Sequence, residues 1–306
     1  MGRAPDMMPT RTAVVLPARQ WHGLEAAHRA TVQRLTAAHL TRADHHLPHP
    51  VEDFLFTYYS LRPAQLGRWH PGLGIGLADP GERTGWRFTR VVDGVASVDA
   101  ADLLERKATL VDFVERLLTN TAAAPGQFGC FGLHEWAMVY RLPEHDLRHA
   151  GRALRLGAAG TDDVVRSHQL RCSHHDAFRF FTPQARGLNL LTPDLDSRDR
   201  MEQPGCLHAT MDLYKWAYKL LPAVSSELLL DCFRLARDVR ELDMRASPYD
   251  LRDLGYTPVP IETPAGKAEY VAAQRDFADR GRELRNRLIE VIGHLRRAAD
   301  DRLDQA

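Results

Sequence analysis

The chain has 306 residues, 44% of them hydrophobic and 26% charged, a balance that is typical of a globular protein rather than a disordered one. Forty Lys and Arg residues balance forty Asp and Glu residues, so the formal net charge is zero. Proteins that bind nucleic acid usually carry excess positive charge, which displaces counterions from the phosphates. Neutrality therefore disfavours that class but leaves room for a local basic groove.

The sequence contains no apolar stretch that could span a bilayer, and the apolar patch at residues 13–16 is too short for a secretory signal. The four cysteines are far apart and form no Cys-x-x-Cys pair. This pattern favours free thiols in a reducing compartment over a structural zinc knuckle. We therefore expect a cytoplasmic protein that has no membrane partner.

The first part of the chain predicts two helices after a loose lead-in over residues 1–18. Apolar residues recur at helical spacing over 21–41. Two prolines within 44–50 end that pattern, because proline lacks a backbone donor and restricts the residue before it. The apolar and aromatic stretch 51–61 predicts a buried helix.

Residues 71–98 change character and predict strands. Alternating glycines, an Asp-Pro-Gly turn, a strand-like run over 86–92 and the Asp93-Gly94 pair are typical of a small β-hairpin or meander. A long helix is expected to follow from Asp99 to about Leu118.

The second half predicts mainly helices, with one long loop over 182–205 that is a candidate functional segment. Ser225 and Thr263 are expected to cap the N-termini of the last two helices. The expected helices lie near residues 131–141, 162–170, 207–220, 226–246 and 264–297. The predicted fold class is therefore mainly α, as one compact helical domain over 19–306 with a small β-hairpin or meander insertion near residues 71–98.

The segment 128–141 crowds polar groups among aromatic ones. A helix there would place His134 and Glu135 beside apolar walls and Trp136. A carboxylate in such a pocket has a raised pKa and can act as a general base near neutrality. The alternative is that both side chains hydrogen-bond to neighbouring elements while Trp136 packs in the core.

The segment 171–181 offers two kinds of chemistry. His174 and Asp176 are residue types that bind zinc or iron, whereas Phe178 and Arg179 could form a stacking platform with a phosphate-binding guanidinium. A buried aromatic strand with one salt-bridged arginine would explain the same residues.

Two further helices carry candidate residues. His208 and Asp212 are four residues apart, so they share a helical face and could be metal ligands or an acid–base pair. Tyr214 and Trp216 add aromatic surface to the same segment, although a buried amphipathic helix with polar anchors would also account for it. Arg245 lies at the end of the helix near 226–246, where a cleft can open.

Four segments together resemble an actinobacterial family labelled 3-methyladenine DNA glycosylase. They are HPVEDFLFTYYSLRPAQLGRWHPG at 49–72, FGCFGLHEWAMVYR at 128–141, CLHATMDLYKWAYKL at 206–220 and LDMRASPYDL at 242–251. The resemblance covers most of the chain from about residue 49 onward. It implies a hydrolase of DNA repair that cleaves the N-glycosidic bond of alkylated purines in damaged DNA, without a cofactor.

Such an enzyme extrudes the damaged base into an aromatic pocket and needs a carboxylate to activate water or stabilise the sugar cation. By residue chemistry, the catalytic candidates are Glu135, Asp176 and His134. The candidates for base stacking and phosphate contact are Trp136, Phe178, Arg179, Tyr214, Trp216 and Arg245.

Two other hypotheses stay open. A non-haem metal-dependent enzyme, an oxygenase or hydrolase of a small-molecule substrate, would hold iron or zinc through some of a set of candidate ligands. The set is His134, Glu135, His174, His208 and Asp212. A non-enzymatic protein would use the same aromatic clefts to bind a ligand. The sequence holds no P-loop, His-Glu-x-x-His or Gly-x-Ser-x-Gly motif that would choose between them.

Overall fold

A small sheet forms on one side of a helical body. The computed structural model describes residues 14–147, 149 and 151–303, so most of the lead-in predicted over 1–18 lies outside the described residues. The strands are β1 Val14–Leu16, β2 Ile75–Ala78, β3 Thr89–Val92 and β4 Val95–Val98, in the order β1-β2-β4-β3.

The predicted β-hairpin is confirmed as β3 and β4, which pair antiparallel with Val92 opposite Val95. Asp93 and Gly94 both have positive φ angles, 48° and 77°, as a two-residue hairpin turn requires. The lead-in prediction fails at its C-terminal end, because residues 14–16 pair in parallel with β2 as an edge strand.

The remaining elements are helices, and they confirm a mainly α fold. Their bounds are α1 Ala18–Asp44, α2 Phe54–Thr57, α3 Pro63–Leu66, α4 Ala100–Ala123, α5 Leu133–Ala137, α6 Gly157–Ser167, α7 His175–Phe178, α8 Pro183–Arg186, α9 Arg198–Met201, α10 Leu207–Met211, α11 Leu213–Lys219, α12 Ser226–Arg245 and α13 Pro264–Leu303. Single 3₁₀ turns cover Gly81–Gly85, Glu144–Asp146 and Arg252–Leu254. None of the helices described is both long enough and apolar enough to cross a membrane.

The main hydrophobic core extends from Val32 on α1 to Ala299 on α13. Helix α13 packs along α4 and α12, and α10 and α11 fill the space between α12 and α13. The predicted N-caps are confirmed. The Ser225 hydroxyl accepts from the amide of Leu228, and the Thr263 hydroxyl accepts from the amide of Gly266.

Three predicted helices are wrong in extent. The stretch 51–61 forms only the single turn α2, because Asp53 is drawn into a side-chain network and the chain turns toward Pro63. The predicted helix 131–141 is reduced to α5, since Phe131, Gly132 and Arg141 all have positive φ angles that bound it. The predicted helix 207–220 is divided at Asp212 into α10 and α11. The loop 182–205 includes the single turns α8 and α9.

Candidate metal centre

Three helices that are distant in sequence bring three metal-type side chains together. His134 lies on α5, His208 on α10 and Asp243 on α12, and all three are buried. Each offers one ligand atom, and these atoms lie within 4.8 Å of one another. Helix α5 begins at this place because Gly132 has a φ of 69° and a side chain there would press against Tyr270 and Ala246.

The closest pair in this group is His134 and Asp243. His134 Nε2 is 2.8 Å from Asp243 Oδ1, the separation of a buried ion pair. Burial opposes ionisation of both groups, but their mutual attraction outweighs it. The pKa of His134 is therefore raised and that of Asp243 is held well below its ordinary value.

Asp243 is oriented by a buried arginine. Arg240 Nη1 donates to Asp243 Oδ2 at 3.0 Å and to Glu135 Oε1 at 2.9 Å, while Nη2 donates to the carbonyl of Pro50. One oxygen of Asp243 is thus fixed by Arg240, and the other faces His134.

His208 lies between the other two buried histidines. Its ring meets His134 edge-on at 4.4 Å and stacks on His174 at 5.2 Å, measured between ring centroids. Burial and the positive charge of His134 lower the pKa of His208 well below its ordinary value. His208 is therefore neutral near pH 7, and a neutral imidazole is the form that binds metals.

A second group of ligand-type atoms, from His174, Glu202 and Asp212, lies on the other side of His208. A guanidinium already fills it, because Arg198 donates to Glu202 at 2.6 Å and to Asp212 at 2.5 Å. Burial disfavours a charged His174, but the charge of Glu202 and the hydrogen bonds to Asp212 and Glu202 raise its pKa to about 9. A protonated His174 beside Arg198 has no lone pair for a metal, so this second group is a buried salt-bridge cluster.

Asp176, a predicted catalytic carboxylate, belongs to the same salt-bridge cluster. It accepts from Arg198 Nη1 and from Lys215 Nζ, each at 3.1 Å. Burial opposes its ionisation, but the charges of Lys215 and Arg198 lower the pKa of Asp176. A low pKa makes a carboxylate a weak general base near neutrality.

A small cavity opens beside the first group, and we call it the inner cavity. Its volume is about 20 Å³, enough for one water-sized occupant. His134, His208 and Ser173 line it, together with apolar residues such as Phe181. Cys130, Cys172 and Cys206 also line it, and burial raises the pKa of all three thiols.

A wider opening, which we call the outer cleft, adjoins the inner cavity. It has a volume of about 420 Å³, and Phe128, Phe131 and Gln169 contribute to its walls. Four residues line both spaces, namely Cys130, Leu133, Arg171 and Gln203. The cleft is of the size of a small-molecule site, and it leads from the surface toward His134 and His208.

Several predicted ligand-contact residues lie in the core instead. Trp136 is fully buried and its indole Nε1 donates to the carbonyl of Ala246. Tyr214 and Trp216 are buried in the same main core. None of these three lines the inner cavity or the outer cleft.

The other candidates lie nearer the surface. Phe178 is half-buried against Phe181, and Arg179 is exposed with Nε 3.4 Å from Asp176. Arg245 is partly exposed and pairs with Glu269 at 3.2 Å. None of these three side chains lines the inner cavity or the outer cleft.

Sequence reasoning missed the residues that complete the two groups, Asp243, Glu202, Arg198 and Arg240. One signal was present for Asp243, since it falls on the apolar stripe of α12, four residues after Val239 and seven after Ala236. No comparable signal pairs His134 with His208, because only the tertiary fold brings α5 beside α10. The predicted metal ligands divide accordingly: His134 and His208 belong to the first group, His174 and Asp212 belong to the second, and Glu135 belongs to neither.

Comparisons with known proteins do not assign this chain to a family. No protein-family model, no curated protein and no solved structure matches this chain.

Proposed function

We propose that this protein is a metal-dependent enzyme that acts on a small molecule bound in the outer cleft, with a divalent ion held by His134, His208 and Asp243. One observation supports it above the others. The ligand atoms of His134, His208 and Asp243 are buried and lie within 4.8 Å of one another, His208 is neutral, and Arg240 bonds only one of the two carboxylate oxygens of Asp243. A metal ion bound there would displace the proton that His134 shares with Asp243, because a ligating imidazole must be neutral.

The donor set fits such an ion. Two imidazoles and one carboxylate are the protein ligands of many zinc hydrolases and non-haem iron oxygenases, and three ligands leave positions open for substrate and water. A bound ion would supply Lewis acidity beside the inner cavity, which His134 and His208 line. Arg240 would hold the Asp243 carboxylate in place, and the apolar lining formed by residues such as Leu133 and Phe181 would keep bulk water out.

DNA base excision remains the hypothesis that the sequence resemblance favours. Its proposed carboxylates are both engaged by cations, Glu135 by Arg240 and Asp176 by Arg198 and Lys215. Its proposed stacking residues Trp136 and Tyr214 are fully buried. For these reasons we place the metal-dependent hypothesis first.

Metal analysis of His208→Gln beside the wild type tests the proposal. Because His208 is uncharged in the folded protein, this change removes a ligand without removing a charge from the core. We expect about one equivalent of zinc or iron in the wild type after reconstitution, and at least tenfold weaker metal affinity in the variant. His28→Gln is the matched control, since His28 is also buried but bonds to the carbonyl of Leu66.

Activity assays then separate the two functions. We expect chelator-sensitive turnover of chromogenic esters or chelator-sensitive oxygen uptake, lost in His208→Gln and kept in His28→Gln. Less than a tenth of an equivalent of metal in wild-type protein reconstituted with zinc, iron or manganese would contradict the proposal. Release of methylated purine from duplex DNA that persists both with chelator and in His208→Gln would support base excision instead.

A further inference from the structure

The passage between the outer cleft and the inner cavity carries two hydrogen-bond donors. Arg171 and Gln203 line both spaces, and Gln203 is only 7% exposed. The Gln203 Oε1 atom accepts from the amides of Gln127 and Gly205, both at 2.8 Å. These two bonds fix the orientation of the side-chain amide, so its N–H₂ group is the part left to donate to a ligand.

The walls of the outer cleft combine apolar surface with positive charge. Phe128 and Phe131 line it, and each ring is faced by a cation of α13. The guanidinium of Arg275 lies 5.1 Å from the Phe128 ring centroid, and the ammonium of Lys267 lies 5.6 Å from that of Phe131. Arg171 lines the cleft itself, and these two cations contact its aromatic walls, so the local potential favours an anion.

The buried charges around the proposed ion also call for an anion. The carboxylates of this network are Glu135, Asp176, Glu202, Asp212 and Asp243. Its permanent cations are Arg198, Lys215, Arg240 and Arg285, and the last is fully buried without a hydrogen-bond partner among the described residues. A divalent ion added to these groups leaves positive charge in excess, and a protonated His174 and Arg179 beside Asp176 increase it. Buried charge without compensation is costly, so negative charge is expected from a ligand.

We infer that the substrate or product of this site is a small monocarboxylic acid with an apolar, planar body, its carboxylate bound by Arg171 and Gln203 and its body between Phe128 and Phe131. A guanidinium and an amide N–H₂ match the two oxygens of a carboxylate. One guanidinium beside one amide N–H₂ supplies donors for two oxygens, which favours a carboxylate over a phosphate dianion with three. The inference names the substrate class of the site proposed above, and it rests on that proposed function for the charge of the ion.

Binding of benzoate and of its neutral isostere benzamide to the zinc-reconstituted full chain tests the inference by isothermal titration calorimetry. We expect benzoate to bind at least tenfold more tightly than benzamide. Phenyl phosphate serves as the dianionic probe, and it is expected to bind more weakly than benzoate.

Gln203→Glu is the decisive variant. A glutamate at this position keeps an oxygen that accepts from Gln127 and Gly205, but it replaces the N–H₂ donor by a negatively charged acceptor. We expect it to weaken benzoate binding at least tenfold while benzamide binding and zinc content stay unchanged. Arg171→Gln should also weaken benzoate binding, whereas Arg90→Gln, which removes an exposed arginine from β3, should not.

The outcomes separate this inference from the proposed function, because zinc content is measured on the same samples. If zinc binds but benzoate has no advantage over benzamide, or Gln203→Glu keeps full benzoate affinity, the inference is overturned and the metal site stands. If zinc does not bind while benzoate still depends on Arg171 and Gln203, the metal-dependent function is overturned and the carboxylate site stands.

Discussion

The contacts of Trp136 indicate a structural role for this residue rather than a role in binding a ligand. Its indole Nε1 donates to the carbonyl of Ala246 at 2.9 Å, and the guanidinium of Arg155 lies 5.5 Å from its ring centroid. These contacts connect α5 to the end of α12 and hold the helix that carries His134. The same residue was a candidate for base stacking from sequence alone.

We predict that Trp136→Phe lowers the free energy of unfolding by about 2–3 kcal/mol, because it removes a buried hydrogen bond and leaves a cavity. Urea denaturation measures this. Trp86→Phe, at a half-buried indole, should cost about 1 kcal/mol or less. A Trp136→Phe protein of wild-type stability that has lost affinity for alkylated DNA would favour the stacking role.

Helix α13 depends on a glycine near its N-terminus. A Cβ atom at Gly266 would lie far inside van der Waals contact with the carbonyl oxygen of Pro260, a backbone atom that cannot swing away. Gly293, in the same helix, would meet only the guanidinium of Arg297, a flexible group 3.4 Å away. The packing around Gly266 therefore requires a glycine, whereas the packing around Gly293 leaves room for a larger side chain.

We predict that replacing these two glycines of α13 by alanine has opposite effects on the stability of the protein. Gly266→Ala should destabilise the protein by about 2 kcal/mol or more, because overpacking against backbone forces α13 to shift. Gly293→Ala should stabilise it by about 0.5–1 kcal/mol, because alanine is the better helix former. Thermal and urea unfolding of both variants provide the comparison, and equal effects in the two would show that the Pro260 contact is not what requires a glycine.

At the scale of the whole molecule, His70 joins the sheet region to the helical body. Its amide donates to the Ser226 hydroxyl at the start of α12, its carbonyl accepts from the Ser226 amide, and its ring packs edge-on against Trp86. Burial, together with the charges of Arg83 and Arg68, lowers the pKa of His70 to about 4. The folded state therefore disfavours protonation of His70, whereas the unfolded chain does not.

The sign of the resulting pH dependence follows from linkage. Because the pKa of His70 is about 4 when folded and about 6.5 when unfolded, its stabilising contribution is complete above pH 6.5 and is lost as pH falls toward 4. The total loss is about 3 kcal/mol, since each pKa unit is worth about 1.4 kcal/mol. We predict that His70→Gln unfolds with a shallower loss of stability between pH 7 and pH 4.5 than the wild type.

Urea denaturation at both pH values measures the difference. The exposed-site variant His294→Gln should follow the wild type, which corrects for the acid sensitivity of all other groups. If the stabilities of the wild type and His70→Gln depend on pH in the same way, His70 does not have the lowered pKa described here.

The amino-acid sequence by itself determined the helical class, the hairpin and the capped starts of the last two helices. Periodic apolar residues, a turn pair at Asp93-Gly94 and cap residues at Ser225 and Thr263 act over a few positions, so local pattern suffices to predict them. Extents were less predictable. Helix α5 is short because Phe131 and Arg141 adopt positive φ angles, which their residue types do not predict.

The candidate site was decided only by tertiary structure. The segments 128–141, 171–181, 206–220 and 242–251 all contribute to the two buried groups. Their members there are His134, His174, His208, Asp212 and Asp243. Local pattern could not show which carboxylates stay available, because Arg240 and Arg198 reach their partners across the fold. Nor could it show that Gln203 is pinned by backbone amides beside a cleft. Those facts depend on how helices distant in sequence pack around one core, and packing is a property of the whole chain.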